Sequence, residues 1–481
     1  MRLEKYTSYM IFLYYAMVVG ALEFKYHSNK EIEIVLRNFH NTSIRNIRTE
    51  MHSIGKTKNG NNLWVLMITA SKPGMPGIPN VKLIGNMHGN EAAGREVLLQ
   101  FIEYLRTNYT SDKEVAWLLN HTKIHIMPSM NPDGFEKAND VCNEQRGRAN
   151  SLGVDLNRDF PDPFHKNLIR NASESIAMRK WMDETPFILS AALHGGALVA
   201  NYPFDSLRVI WSDDRVVESP TPDNDVFRHL AMVYSQNHLT MHKSMDRHLG
   251  EKCNVIFKDG ITNGAVWYSF EGGMGDYNYA KHGCMELTLE ISCCKYPKAN
   301  KLETLWLENK KALLKFSLEA NKGIAGQIID KLTKKPVGNA KLSIVGRNIT
   351  FHSFKVTGEF WRLLLPGSYK LNIEAKGYHT QLVEFTVGNY SGSLPQLTFK
   401  KIFVYNATVF TTTTSTTVAT TRTPSINKSK NNSHVLPKRH PAVVLTSSGD
   451  NFRTECMTLA AANMEILVQE NSVVNEKLSN T

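Results

Sequence analysis

From about Leu22 to Asn321 the chain alternates short apolar runs with stretches of helical periodicity, and this alternation limits the available folds more than any other feature. Asn62–Ala70, Val81–Asn86, Lys123–Met127, Phe187–Leu193 and Met285–Ile291 have the length and apolar content of strands. Between them, Glu91–Leu105 brings Val97, Leu98, Phe101 and Leu105 onto one helical face. Val226–His238 and Leu302–Leu318 also read as helices. Strands interleaved with helices build a parallel or mixed sheet covered on both faces. The expected fold over residues 22–321 is therefore α/β, with a mixed central sheet flanked by helices.

After Asn321 the pattern changes. Gly323–Ile329, Ala340–Val345, Phe360–Leu365, Ser368–Ala375 and Gln381–Val387 are short strands punctuated by Gly346, Gly358, Pro366-Gly367 and Gly377. Short strands at regular spacing predict a small all-β sandwich over residues 322–400. Residues 401–481 open with a stretch dominated by threonine, Thr408 to Thr423, expected to be a disordered and O-glycosylated linker. The rest reads as a mostly disordered tail, in which Met457–Val468 could form at most a short helix. At the other end, Arg2 and Lys5 precede an uncharged apolar run, Tyr9–Ala21, closing on Val19-Gly20-Ala21. This is the pattern of a secretory signal peptide over residues 1–21. No later run is long enough for a transmembrane helix, and the polar terminus Val474–Thr481 argues against a lipid-anchor tail.

The formal net charge is +11, which invites a nucleic-acid reading. Its location removes that reading. Up to Asn321 there are 37 basic and 36 acidic residues, against 11 and 4 in Lys322–Lys400 and 8 and 5 beyond. No recognisable nucleic-acid module accompanies the basic part, so the expectation is weak contact with anionic surfaces at most, by a monomer. Secretion, or an extracellular location, fits the N-x-Ser/Thr acceptors, among them Asn41, Asn108, Asn120 and Asn171. It also permits disulfides among Cys142, Cys253, Cys284, Cys293, Cys294 and Cys456. Five of these lie before Asn321, so at least one there is free or pairs elsewhere. The pairing is left open.

The chemistry-bearing residues stand at strand ends. His88 and Glu91 follow an apolar strand in Gly85-Asn86-Met87-His88-Gly89-Asn90-Glu91, three residues apart, and can converge on one metal ion. His194-Gly195-Gly196 follows another strand. It could complete a His₂Glu set for zinc with a fourth position left for water or substrate. Met285–Ile291 alternates, with Glu286, Thr288 and Glu290 on one face. Pattern alone leaves a solvated edge strand and a catalytic face equally open.

Further motifs carry a resemblance. They include His88-Gly89-Asn90-Glu91, Asn131-Pro132-Asp133-Gly134, Gly147-Arg148, Asp155-Leu156-Asn157-Arg158-Asp159-Phe160-Pro161 and Leu193-His194-Gly195-Gly196. Asn201-Tyr202-Pro203-Phe204-Asp205, Trp267-Tyr268, Gly272-Gly273-Met274 and Cys293-Cys294-Lys295-Tyr296-Pro297 follow. In order and spacing, from about Phe24 to Lys400, these residues resemble the zinc carboxypeptidases of the regulatory subgroup that contains carboxypeptidases D, E, M and N. The second unit, through Trp361-Arg362-Leu363-Leu364-Leu365-Pro366-Gly367 and Gly377-Tyr378, resembles that subgroup's transthyretin-like sandwich.

The resemblance implies roles. His88, Glu91 and His194 would hold one Zn²⁺, and Glu290 would be the general base. Arg148 would face the scissile carbonyl, Asn157 and Arg158 would hold the substrate's terminal carboxylate, and Tyr268 would close over the substrate. Peptide or protein substrates ending in Lys or Arg would be met by Asp205. One departure is visible: where the subgroup has glutamine after Gly-Gly-Met, this chain has Gly275. The gap implies a roomier side-chain pocket that keeps its basic preference, with weaker discrimination or a shifted lysine-to-arginine ratio. The alternative, a catalytically silent peptide-binding or adhesion protein on the same fold, has no chemical need for His88, Glu91, His194, Glu290, Arg148, Arg158 and Tyr268 together.

Overall fold

The computed structural model describes residues 22–42, 44, 46–209, 216–389, 394–395 and 397–407. The expected signal segment, the threonine-rich stretch, Cys456 and Met457–Val468 lie outside the described residues.

The first two-thirds of the chain builds one eight-stranded sheet. In chain order the strands are β1 (Arg48–Lys56), β2 (Asn62–Thr69), β3 (Asn80–Gly85), β4 (Lys123–Met127), β5 (Phe187–His194) and β6 (Ala197–Tyr202). A two-residue hairpin follows, β7 (Arg247–His248) with β8 (Glu251–Lys252), then β9 (Ile261–Asn263) and β10 (Met285–Ser292). The order across the sheet is β1-β2-β4-β3-β5-β10-β6-β9. β4, β3, β5 and β10 are mutually parallel, whereas β1 pairs antiparallel with β2, β2 with β4, and β6 with β10. The sheet is thus mixed.

β3 and β5 are buried at every residue, as strands covered on both faces must be. Neighbouring residues feed different cores. Leu83 and Ala191 join the cluster under the helices Ala93–Thr107, Asn224–Asn237 and Leu302–Leu318. Ile84 and Ala192 join Met178, Trp181 and Tyr277 from the helices Ser173–Glu184 and Met274–His282. A fully buried leucine such as Leu98 contributes about 1.5–3 kcal/mol to holding these layers together.

The β region that follows has, among the described residues, seven strands: β11 (Ile324–Asp330), β12 (Lys341–Ile344), β13 (Phe351–His352), β14 (Glu359–Arg362), β15 (Gly367–Glu374), β16 (Gln381–Val387) and β17 (Thr398–Val404). They form two sheets, β14-β11-β17 and β13-β12-β15-β16, around Ile324, Leu342, Phe360 and Leu371. β17 runs past Lys400 to Val404, beyond the expected limit. Leu363 and Leu364, expected in a strand, are buried but lie past the end of β14.

Two of the cations that give this region its charge are paired internally. Arg362, 1% exposed, forms a buried ion pair with Asp223 and donates to Gly283 O at 3.1 Å. Arg347 reaches Asp223 and Asp225, each at 2.7 Å.

Candidate active site

Strand pairing decides where the chemistry falls. Because β3, β5 and β10 are parallel neighbours, their carboxyl ends share one edge of the sheet. Gly85 lies in register with Leu193, and Glu290 with His194. The loop after β3 supplies His88 and Glu91, and the last residue of β5 supplies His194. That loop is locally over-determined. Asn86 sits at φ 58° and donates through Nδ2 to His88 O and Gly89 O, both at 2.9 Å. A Cβ on Gly89 would come within 2.2 Å of the Gly134 backbone, so only glycine lets the loop approach the Asn131-Pro132-Asp133-Gly134 turn.

His88 Nδ1 and His194 Nδ1 lie 3.0 and 2.8 Å from the same Glu91 Oε2. All three residues are buried, and their ligand-capable atoms lie within 4.8 Å of one another. His88 Nε2 points the other way, 3.1 Å from Asp155 Oδ1. A carboxylate there holds the proton on Nε2 and leaves the Nδ1 lone pair facing Glu91. Burial alone would raise the Glu91 carboxyl, but His88, Lys295 and His194 together hold it well below the usual range. Lys295 Nζ stands 2.7 Å and Arg148 Nη1 3.4 Å from Glu91 Oε1. Two inward nitrogens and one ionised oxygen form a donor set that fits zinc, with the outer partner such a set needs already in place.

Glu290 faces this cluster. Its Oε2 is buried without a hydrogen-bond partner among the described residues. Burial first, and Glu91 second, push its carboxyl up to about 7. Of the two readings that the pattern left open for this strand face, the solvated edge strand is excluded. β10 lies between β5 and β6, Glu290 is buried at the cavity, and Glu286 is buried against Lys82 Nζ at 3.1 Å. Alternation cannot distinguish a polar face in water from one turned into a site.

A cavity of ≈ 370 Å³ gathers His88, Glu91, Arg148, Asn157, His194, Tyr268 and Glu290. Arg148 is anchored by Asp155, which accepts from Nε at 3.1 Å and lies 2.9 Å from Nη2. Asn157 Oδ1 accepts from Met274 N at 3.0 Å, which leaves its amide NH₂ as the donor end. Arg158 does not line the cavity directly. Its guanidinium carbon lies over Phe270, 3.5 Å from the ring centroid, and Phe270 stacks against Tyr268. Tyr268 is 45% exposed at the mouth, and burial of its ring pushes the hydroxyl up to about 12.

Asp205 is buried and does not line the cavity directly; it accepts at 2.9 Å from Nδ2 of Asn201, which does. Burial, opposed by Asn201 and Arg158, pushes Asp205 up to about 6. Asp276 supports it from behind, accepting from Asp205 N at 3.0 Å and Ser206 N at 2.9 Å. Gly275 is buried beside it in the first turn of the helix Met274–His282.

Sequence reasoning gave no role to Asp155, Lys295, Phe270 or Asp276. Asp155 and Lys295 stood in quoted motifs, but only the fold turns them toward Glu91 and His88. Among the described residues the open cysteine pairing resolves into Cys142–Cys294 and Cys253–Cys293, with Cys284 unpaired there and buried. These two bonds tie the segments carrying Asn143, Gln145 and Asn254, all lining the cavity, to the end of β10.

Residues 40–312 match the family model described as zinc carboxypeptidase. The chain is 42% identical to mouse carboxypeptidase M over 378 residues, covering 77% of this chain and 82% of that protein. It is 42% identical to human carboxypeptidase D over 376 residues, 76% of this chain but 26% of that longer protein. It is 38% identical to the rat carboxypeptidase N catalytic chain over 423 residues, covering 82% and 90%. The chain belongs to the zinc carboxypeptidase family, in the regulatory subgroup of these relatives, and is a metallocarboxypeptidase.

Proposed function

We propose that this protein removes single C-terminal lysine or arginine residues from peptides and proteins in the secretory pathway or extracellular space. The observation that supports the exopeptidase reading is Asn157 in the cavity that holds His88, Glu91 and His194, with Arg158 next to it, donating to Asn157 O at 2.8 Å and lying against the cavity residue Phe270. A planar guanidinium matches a free terminal carboxylate, and Asn157 adds a neutral donor. An internal peptide bond offers no such anion.

In this reading His88, Glu91 and His194 hold one zinc ion. When bound, zinc acidifies a water molecule and polarises the scissile carbonyl. Glu290 takes the proton of the attacking water and returns it to the leaving amine, a task suited to a carboxyl held near 7. Arg148, fixed by Asp155, presents positive charge to the oxygen on which charge develops. Tyr268 closes over the substrate from the rim and excludes water. Asp205, a buried carboxylate, draws in the basic side chain.

Residues 22–321 act as the catalytic domain and residues 322–400 as a transthyretin-like support, in a monomer. The secretory setting is supported by the two disulfides. Of the glycosylation acceptors among the described residues, Asn41, Asn108, Asn120, Asn171, Asn348, Asn389 and Asn406, none is buried. Matched peptides ending in free arginine and in arginine amide test the reading. Release from the free acid, abolished by a chelator and absent with the amide, is expected. Equal release from the amide would refute it.

A further inference from the structure

Arg95 is buried where a cation is badly placed. It sits in the first turn of the helix Ala93–Thr107, the end of a helix that favours anions. Its exposure is 0%, and among the described residues no carboxylate stands within ion-pair distance of it. The adjacent Glu96 is taken by His27, whose Nδ1 lies 2.6 Å from its Oε2. A buried charge without a counter-ion is costly, and an apolar side chain would serve packing alone. What surrounds the guanidinium is neutral oxygen. Nη2 donates to His27 O at 2.8 Å. Nη1 lies 3.0 Å from Ser129 Oγ, 3.1 Å from Asn29 Oδ1 and 3.3 Å from Asn86 Oδ1. The Phe135 ring centroid lies 3.5 Å from the guanidinium carbon.

Asn86 is the contact that leads to the metal loop. Its Oδ1 accepts from two donors, Arg95 Nη1 and Ser129 Oγ, the latter at 2.9 Å. Its Nδ2 donates on the other side to His88 O and Gly89 O, with Glu91 O at 3.4 Å. These partners leave the amide one orientation. Turned over, its NH₂ would meet the guanidinium donor to donor, and its oxygen would meet three carbonyls. The charge of Arg95 strengthens its side of the arrangement. One side-chain nitrogen thus gathers the carbonyls of His88, Gly89 and Glu91 around itself. That gathering curves the loop at residues 88–91, in which His88 Nδ1 stands 3.0 Å from Glu91 Oε2.

We infer that Arg95 is a positioning residue of the metal site: acting through Asn86, it fixes the curve of the His88–Glu91 loop and so sets how tightly the chain holds zinc. This rests on the reading of His88, Glu91 and His194 as the zinc ligands. It gives a reason for the unpaired charge: a neutral side chain could fill the space but could not lock the Asn86 amide.

The test is zinc Kd, read by competition with a chromophoric chelator, for the full chain and for Arg95→Lys, Asn86→Gly, the two combined, and Asn29→Ala. A thermal melt of each metal-free variant reads the fold separately. Glycine adopts the φ of Asn86 freely, so Asn86→Gly removes the tether without straining the backbone. Arg95→Lys and Asn86→Gly should each weaken zinc binding by about tenfold. The double variant should also lose about tenfold, rather than the roughly hundredfold of independent effects, because both substitutions cut one chain of contacts. Asn29→Ala removes another acceptor of Arg95 but spares its contact with Asn86. It should lower the melting temperature and leave zinc Kd within about twofold of native. Should Arg95→Lys not fold, Ser129→Ala, which removes the hydroxyl between Arg95 and Asn86, takes its place in the cycle under the same requirement. Additive losses, a native Kd in Arg95→Lys, or a loss of zinc in Asn29→Ala equal to that in Arg95→Lys would each overturn the role of Arg95. A native chain that binds no zinc overturns the ligand assignment instead, and this inference with it.

Discussion

Asp155→Asn tests whether the structure places the outer support of the metal site correctly. The carboxylate serves two sides at once. Oδ1 accepts from His88 Nε2 at 3.1 Å and from Asn157 N at 3.0 Å, while Oδ2 accepts from Arg148 Nε at 3.1 Å and lies 2.9 Å from Nη2. An asparagine has one acceptor oxygen. If that oxygen keeps His88, the new NH₂ meets the Arg148 guanidinium donor to donor; if it keeps Arg148, the NH₂ meets the His88 N–H. Losing the outer carboxylate beneath a metal-binding imidazole typically costs ~10–100-fold in metal affinity, or about 1.4–2.7 kcal/mol. We expect zinc affinity to fall within that range, and kcat/KM to fall at least as far because Arg148 loses its anchor. Competition with a chromophoric chelator reads the affinity, and far-UV circular dichroism confirms the fold. A folded Asp155→Asn variant whose zinc Kd stays within about twofold of native would refute the reasoning.

Two further expectations concern charge. Asp223→Ala leaves Arg362, 1% exposed, without its ion-pair partner, whereas Asp225→Ala removes a half-exposed carboxylate. Chemical denaturation should show a loss of about 3–5 kcal/mol for the first and under about 1 kcal/mol for the second; equal losses would contradict the buried pairing. Discrimination for arginine over phenylalanine should weaken with acid. Asp205 is raised to about 6, so it is a carboxylate above that pH and neutral below it. The ratio of the two kcat/KM values, in which effects common to both substrates cancel, should fall as the pH drops from about 7.5 to about 5, across that titration; a flat ratio would remove Asp205 from the pocket.

How much of this was visible in the sequence depends on what each residue touches. His88, Glu91, His194 and Glu290 could be found because they end or interrupt apolar strands, and the sheet then aligns those ends. β1 escaped notice because it is an edge strand of intermediate burial with no clean alternation. Lys82, in the middle of an apolar run, gave no sign that it would meet Glu286 from another strand. The disulfide pairs join segments 152 and 40 residues apart, a distance no local pattern encodes. The net charge of +11 suggested an anionic partner, yet Arg347 and Arg362 turn out to hold the β region through Asp223. Long-range pairing, rather than local preference, is what the sequence withheld.

The most direct measurement is release of C-terminal arginine by the Glu290→Gln variant, with bound zinc quantified in the same preparation. The substituted amide keeps the shape of the side chain and cannot take a proton, so zinc should remain at the native stoichiometry while kcat falls by about 10²–10⁴-fold. Native turnover with zinc fully bound would contradict the assignment of Glu290 as the base, and with it the account of how this site works.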